Sequence, residues 1–287
     1  MSGVLESRSG LRDGYDLRDF NTGPTTYADA AFSEKIFSAT GLADFSGQAR
    51  VLDLMSGPGK VGLSLQEYAP QHTYYFLDLS QLQLEKIPAT GEIVYRDLTL
   101  SVANHRLRAD VRELPIRGKS MDVAVARYAL KDLTDYEQGP TLFGIAETLK
   151  PGGRLVIADM VSPDGPDNKS WLNMHHSLKQ ELSGRNPLQE GFCHIPTEHG
   201  WMRVLQDAGM KVTAIDTHVS HVTTTDWVRG KQLTEVQLEQ MNDDIRNAPE
   251  TVKQTFNVRE DGGLLMLDYP VIILQAVRSL PTQRIAA

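Results

Sequence analysis

"VLDLMSGPGKVGL", residues 51–63, passes from a continuous apolar run into a glycine-bearing turn and then into helical spacing. A short run with almost no polar interruption is what a strand covered on both faces requires. A turn rich in glycine lets a ligand approach the backbone closely. The helix behind it offers unpaired N–H groups and a partial positive charge. Asp53 stands near the strand end. The junction is therefore suited to a polar, charged small molecule, although a tight strand-to-helix turn without a ligand has the same local pattern. The spacing Gly57-Pro58-Gly59 is not Gly-x-Gly-x-x-Gly, and no Ser or Thr follows Lys60 as a phosphate loop demands.

Outward from this stretch the same rhythm repeats. "HTYYFLDLS" (72–80) reads as a second strand, "HRLRAD" (105–110) as a weaker third, "MDVAVARYAL" (121–130) as a fourth and "PGGRLVIADMV" (151–161) as a turn and a fifth. "KVGLSLQEYA" (60–69) and "YEQGPTLFGIAETLK" (136–150) carry helical spacing between them. Strands alternating with helices predict an α/β fold with a mainly parallel sheet. Upstream, residues 26–42 space Tyr27, Ala31, Phe32, Ile36 and Phe37 as an amphipathic helix that Gly41 stops. Downstream, 167–182 reads as an inserted helix, 197–210 as a helix opened near Thr197 and closed by Gly209, 211–224 as a strand, 234–248 as a helix and 264–280 as a long final strand. Pro270 in that strand predicts an edge position or a bend.

The chain has 287 residues, 40% hydrophobic and 23% charged, with a formal net charge of −8. That composition is ordinary for a globular enzyme, and nothing in it resembles the basic stripe of a nucleic-acid binder. Arg106, Arg108 and Arg112 cluster, but Asp110 interrupts them. A single cysteine, Cys193, excludes a disulfide framework and a zinc site built on cysteine pairs. The first twenty residues lack the apolar stretch of a secretory signal, and no apolar run approaches a membrane span, so a cytoplasmic location is expected.

Three carboxylates follow successive strands: Asp53, Asp78 and Asp110. Open α/β sheets bind ligands beyond the carboxyl ends of their strands. A carboxylate at Asp78 can accept two hydrogen bonds from a ribose diol, and one at Asp110 can accept from an exocyclic adenine amine. Each alone is more often a solvated loop residue or a helix cap; three in succession point to a ligand.

With "VLDLMSGPG", "FLDLS", "RADVRELP", "SMDVAVARYALKDL" and "LKPGGRLVIADMV" in this order, the chain resembles class I S-adenosylmethionine-dependent methyltransferases, in particular the small-molecule group that includes ubiquinone and menaquinone C-methylases. The resemblance covers about residues 45–165 and continues weakly to about 220. It implies a Rossmann-like, mainly parallel, seven-stranded sheet with helices on both faces, an N-terminal helical lid and an inserted helix after strand five. It implies S-adenosyl-L-methionine as cofactor, with Asp53, Gly57 and Gly59 around its methionine part and Asp78 on the ribose. Leu79 would then lie beside the adenine, Asp110 and Val111 at the adenine edge, and the Arg127 backbone carbonyl beside the amino group. Residues 1–44 are read as the N-terminal segment and lid helix. Residues 45–287 form the cofactor-binding domain, with a helical insert at about 165–195. The chain departs from the family at Met55, where relatives usually carry glycine, at Lys131, where a histidine is common, and in the inserted stretch "GEIVYRDLTL" (91–100). Met55 would reshape the methionyl pocket.

Methyl transfer is an in-line displacement at an already activated sulfonium, so positioning and desolvation dominate. A base is needed only when the acceptor must lose a proton. Candidates over the strand ends are Tyr128, His175 and His176, with His194 beside Cys193 as a further one. Tyr27 and Phe32 could close over the sulfonium as aromatic faces. The aromatic residues read equally as packing, and each histidine taken singly reads more readily as a surface residue. The adjacent pair His175–His176 lacks the i, i+4 spacing of helical metal ligands, and no metal is expected. The expected function is methylation of a small-molecule acceptor in specialised metabolism, with no nucleic-acid or membrane partner and with a homodimer left open. Two alternatives stand on the same fold: displacement of methylthioadenosine by cyclisation of the aminobutyryl arm, and cofactor binding without catalysis. A nicotinamide dehydrogenase fails on the glycine spacing.

Overall fold

The computed structural model describes residues 29–95, 97–182, 193–225 and 233–279. Tyr27 lies outside them. The first described helix is α1 (Ala30–Thr40). Asp29 caps it by accepting the Phe32 N–H at 3.1 Å, and Gly41 ends it with φ 62°. The alternating core follows: β1 (Arg50–Leu54), α2 (Lys60–Tyr68), β2 (Thr73–Asp78), the short α3 (Gln81–Glu85), β3 (Thr90–Tyr95), β4 (Leu98–Arg108), β5 (Met121–Arg127), α4 (Asp135–Thr148) and β6 (Leu149–Met160). The C-terminal part adds α5 (Pro166–Leu182), α6 (Glu198–Asp207), β7 (Met210–Thr223), α7 (Glu235–Arg246), α8 (Glu250–Thr255), β8 (Arg259–Asp261) and β9 (Leu264–Arg278).

The strands form one sheet in the order β3-β4-β2-β1-β5-β6-β9-β7, with β8 paired to β9. β4, β2, β1, β5 and β6 run parallel; β9 is antiparallel to both β6 and β7. From β1 the chain steps to β2 on one side and later returns to β5 on the other. The gap between the carboxyl ends of β1 and β5 is thus the topological switch point, where open sheets bind ligands.

The sheet has nine strands among the described residues rather than seven. β3 and β8 are the additions, each antiparallel to a neighbour across a tight turn. The stretch 91–100 holds an antiparallel strand pair, with Ile93, Val94 and Tyr95 of β3 opposite Leu100, Thr99 and Leu98 of β4. Asp97, at φ 64°, lies between the two strands, and the second runs on through Arg108. β8 has three residues, too few to show a period in sequence. Pro270 also differs from expectation. β9 is internal, and Pro270 sits where the β6 ladder ends: Met160 pairs with Val271, and the Pro270 carbonyl accepts from Val161 N at 3.1 Å. Proline's missing donor falls just beyond the last β6 partner, so no edge position is needed.

Alternation along the strands divides the core. Leu52, Leu54, Ala124, Ile157 and Ile272 face α4 and α6; Val51, Val123, Val156, Val271 and Ile273 face α1 and α2 with Phe32, Ile36 and Leu65. Fully burying a side chain such as Phe32 or Ile36 stabilises by about 1.5–3 kcal/mol, which is what holds α1 on the sheet. A third cluster gathers Trp171 and Leu172 of α5, Met241 and Ile245 of α7, Phe256, and Leu267 and Tyr269 of β9. It lies on the α1 side, where β9 extends past the end of β6. Among the described residues, no helix is long and apolar enough to cross a membrane.

Candidate active site

The turn after β1 folds back onto β2. Ser56 N donates to the Leu77 carbonyl at 2.9 Å, and Gly57 N donates to Asp78 Oδ2 at 2.7 Å. The other oxygen of Asp78 accepts from Ser80 N at 2.8 Å, and Ser80 Oγ in turn accepts from Gln83 N to cap α3. Asp78 therefore ties the glycine turn to the end of β2. Gly57 and Gly59 take φ 54° and 78°, values that suit glycine, and Gly59 opens α2.

Asp53 lies beneath that helix. Its Oδ2 accepts from Gly62 N at 2.9 Å, closing one of the N–H groups that a helix start leaves open. A Cβ at Gly62 would stand 2.4 Å from Phe76 Cε1 and 3.0 Å from Asp53 Oδ2, so only glycine lets the helix approach this closely. Burial raises the Asp53 carboxyl to about 7, against the Gly62 N–H and Arg127, which pull it down; Asp78 adds to the rise.

A carboxyl whose folded pKa is raised contributes stability that is complete below its ordinary value of 3.8 and is lost as pH rises through about 7. Asp53→Asn carries no charge at any pH. Melting of the ligand-free protein followed from pH 5 to pH 8 is expected to show a smaller fall in Tm for the variant than for the native chain. Equal slopes would show that Asp53 is not the buried acid described.

Met55 occupies φ 51°, a left-handed conformation that costs a non-glycine residue about 1–2 kcal/mol. The glycine that the resemblance implies at this position would meet the same backbone requirement, and Met55 is packed against the main core. Met55→Gly is expected to change unfolding free energy by less than about 1 kcal/mol, because relieved strain and lost packing oppose one another. Met55→Val, β-branched in the same conformation, should cost about 2 kcal/mol by urea melts. Equal effects of the two would remove strain as the explanation.

On the adenine side, Ala109 N donates to the Asp78 carbonyl at 3.0 Å, which sets Asp110 one step beyond β2. Asp110 is held by its own loop: Arg112 donates through Nε to Oδ1 at 2.9 Å and through Nη2 to Oδ2 at 2.7 Å, and also grips Glu137. Leu79 accepts through its carbonyl from Arg108 Nε at 3.3 Å, and Val111 is buried in the main core.

At the end of β5, Tyr128 takes φ 51°. The turn is held from β6: Asp159 Oδ2 accepts from Ala129 N at 3.0 Å and Lys131 N at 3.1 Å. Tyr128 lies 5.8 Å from Phe32 by ring centroids, and its hydroxyl donates to Ser220 Oγ at 3.4 Å. Phe32 stacks on His218 at 4.5 Å. Tyr128 touches both the α1-side cluster and the α5–α7 cluster.

His175 and His176 are both buried in α5. His175 stacks on Trp171 at 4.8 Å and bonds Asp244 of α7 through Nδ1 at 2.5 Å; the His176 ring stands 6.3 Å from that of Tyr269. His194 is fixed through its backbone to Leu133 and Gln138. The structure thus sets Asp53, Met55, Gly57, Gly59, Asp78, Leu79, Asp110, Val111 and Arg127 at or just past the carboxyl ends of β1, β2, β4 and β5. Tyr128 joins them to the cluster that holds the two histidines. Sequence reading missed Gly62, Ser56, Asp159 and Asp244. Only Gly62 left a sequence signal, a third small residue three positions after Gly59.

Residues 51–153 match the methyltransferase domain family. That stretch, about a third of the chain, is similar to a methyltransferase domain and supports a class I S-adenosylmethionine-dependent methyltransferase. It is 27% identical over 126 residues to the ubiquinone/menaquinone biosynthesis C-methyltransferase UbiE of Syntrophotalea carbinolica, an alignment covering 42% of this chain and 48% of that protein. It is 30% identical over 146 residues to the O-methyltransferase rstn1 of Aspergillus nomiae, covering 48% of this chain and 58% of the relative. The chain therefore spans about half the length of these curated relatives. The YcgJ protein of Bacillus subtilis shares the fold with a TM-score of 0.70 at 15% identity, over 88% of this chain and all of that one. For such a methyltransferase domain, the buried Ser56 Oγ is a further polar atom at the turn that finds no partner among the described residues.

Proposed function

We propose that this chain transfers the methyl group of S-adenosyl-L-methionine to a small-molecule acceptor in specialised metabolism. The observation that carries the reading is the Gly57 N–Asp78 Oδ2 bond, which fixes a glycine turn and a strand-end carboxylate side by side at the switch point. Each oxygen of Asp78 accepts one of the backbone bonds described, and a carboxylate oxygen can accept more than one hydrogen bond, which is what a ribose diol asks of it. The turn's glycines admit the methionyl backbone, and Met55 borders it. Arg127 and Tyr128 close the β5 side, and Phe32 of α1, stacked on His218, packs behind Tyr128. The bound cofactor supplies an activated methyl group. The residues of this chain bind and orient it and exclude water.

The adenine placement at Leu79, Asp110 and Val111 rests on the order of strands, and the Arg112 clamp keeps the Asp110 carboxylate in a fixed direction. Mass spectrometry of the products formed from S-adenosylmethionine, with and without added acceptors, tests the reading. Acceptor-dependent S-adenosylhomocysteine supports it. Methylthioadenosine formed with no acceptor would replace it with cyclisation of the cofactor's own arm, and an unchanged cofactor under all conditions would contradict it.

A further inference from the structure

The two edges of the sheet are built differently. At the β7 edge, Lys35 of α1 donates to the Thr217 carbonyl at 2.7 Å and to Asp216 Oδ1 at 3.2 Å. The ladder from β7 to β9 also shifts register between Val212 and Ala214. A charged side chain laid over the backbone and a bulge both keep an edge strand from pairing with another chain. The opposite edge is β3, which pairs with β4 and with no other strand among the described residues. Its ladder runs in unbroken register from Thr90 opposite Ala103 to Tyr95 opposite Leu98, and it contains neither proline nor lysine.

One bond fixes the direction of the backbone groups on β3. Asn104 N donates to the Ala89 carbonyl at 2.9 Å. Ala89 stands opposite Asn104 in the same register, so hydrogen-bonded pairs recur at Gly91–Val102, Ile93–Leu100 and Tyr95–Leu98. Thr90, Glu92 and Val94 therefore turn their N–H and C=O away from β4, and among the described residues these groups have no backbone partner. The hairpin is anchored at its base. Asn104 donates through Nδ2 to the Pro88 carbonyl at 2.8 Å and accepts through Oδ1 from Gln66 Nε2 of α2 at 2.9 Å. Toward the tip it carries apolar surface: Val94 is 75% exposed and Leu98 63%, with Ile93, Tyr95 and Leu100 half-buried.

We propose that β3 is the seam of a homodimer, pairing antiparallel with β3 of a second copy about a two-fold axis at Ile93. Antiparallel self-pairing puts the axis normal to the sheet, so each residue meets one on the same face. A register centred on Glu92 sets the two Glu92 carboxylates directly opposite one another, which is destabilising. A register centred on Ile93 sets Glu92 opposite Val94 of the second copy. Both of these residues turn their backbone groups into the seam, so each pair exchanges N–H and C=O. Centring nearer either end of β3 shortens the overlap. With the axis at Ile93, the two Ile93 side chains meet on the face that also carries Tyr95, Leu98 and Leu100. The half-covered apolar surface of one hairpin then continues into that of the other. An isologous contact of this kind needs only one self-complementary patch. It is independent of the methyltransferase reading.

The full chain is followed by sedimentation equilibrium over a dilution series, and a dimer is expected. Val94→Pro removes an N–H that β4 does not use and places a ring in the seam, so it should raise the dimer dissociation constant at least about 100-fold while the variant still melts cooperatively. Oxidative cross-linking reads the register. Residues opposite one another in a pair without hydrogen bonds lie about 4.5 Å apart by Cα, within reach of a disulfide. Ile93→Cys should therefore cross-link to its copy. Glu92→Cys, which faces Val94, should not, and the native Cys193 is buried. If Val94→Pro does not fold, the two cysteine variants decide. A chain that is monomeric at every concentration overturns the proposal, including a monomer whose β3 edge takes up an extended peptide instead. So does a dimer whose dissociation constant a folded Val94→Pro leaves unchanged, or one that fails to cross-link through Ile93→Cys or joins through Glu92→Cys.

Discussion

Asp78→Ala is expected to weaken S-adenosylhomocysteine binding at least about 100-fold by calorimetry, close to 2.7 kcal/mol. The size follows from how many things one carboxylate does here. It accepts the Gly57 N–H at 2.7 Å and the Ser80 N–H at 2.8 Å, and both donors are buried. Truncation leaves each without its partner, at about 1–3 kcal/mol apiece, and frees the glycine turn from β2. It also removes the acceptors for the ribose diol. The substitution therefore strikes the ligand contact and the shape of the turn together. Asp78→Asn keeps one oxygen and most of the volume. It can still accept from one backbone donor, so its loss should be nearer tenfold. Equal losses for Ala and Asn would mean that charge alone matters at this position. Unchanged affinity in both would remove Asp78 from the site.

The second large effect is structural. Gly62→Ala should destabilise the ligand-free protein by about 1–3 kcal/mol in urea melts. The added carbon would stand 2.4 Å from Phe76 Cε1, and Phe76 is fully buried, so the ring cannot swing clear without shifting its neighbours. It would also stand 3.0 Å from the Asp53 oxygen that accepts Gly62 N, so the helix start and its buried acceptor are forced apart. Pairing Gly62→Ala with Phe76→Leu is expected to recover part of the loss relative to the sum of the single changes, because the smaller side chain vacates the contested space. Strict additivity would show that the clash is not the cause. The proposed cofactor site lies on this same helix start, so a displaced α2 should also weaken binding, and the double variant should restore some of it.

What the sequence reveals here is local and repetitive. The run Val51–Leu54, the glycines at 57 and 59, and the acid closing "FLDLS" each carry their meaning within a few residues, because a buried strand, a left-handed turn and a strand-end carboxylate are all set by short-range rules. The five parallel strands and the caps at Thr197 and Gly209 follow for the same reason. The parts that escaped reading depend on partners far along the chain. Asp244 lies 69 residues from His175, and no periodicity joins them. Asp159 reads as one more acid in "VIADMV", yet it holds the Tyr128 turn from the neighbouring strand. Arg112 looked like a member of an interrupted basic cluster and is instead a clamp on Asp110 and Glu137. Pro270 illustrates the converse. A residue rule pointed to an edge, and an internal strand accommodates it because the adjacent ladder stops one residue earlier.

The measurement that bears most directly on the whole account is a crystal structure of the protein with S-adenosylhomocysteine. The ribose hydroxyls should fall within hydrogen-bonding distance of the Asp78 carboxylate, with the methionyl group passing the Gly57–Gly59 turn above Asp53. Ligand density elsewhere on the molecule, or an Asp78 side chain turned away from the ribose with its backbone bonds intact, would contradict it.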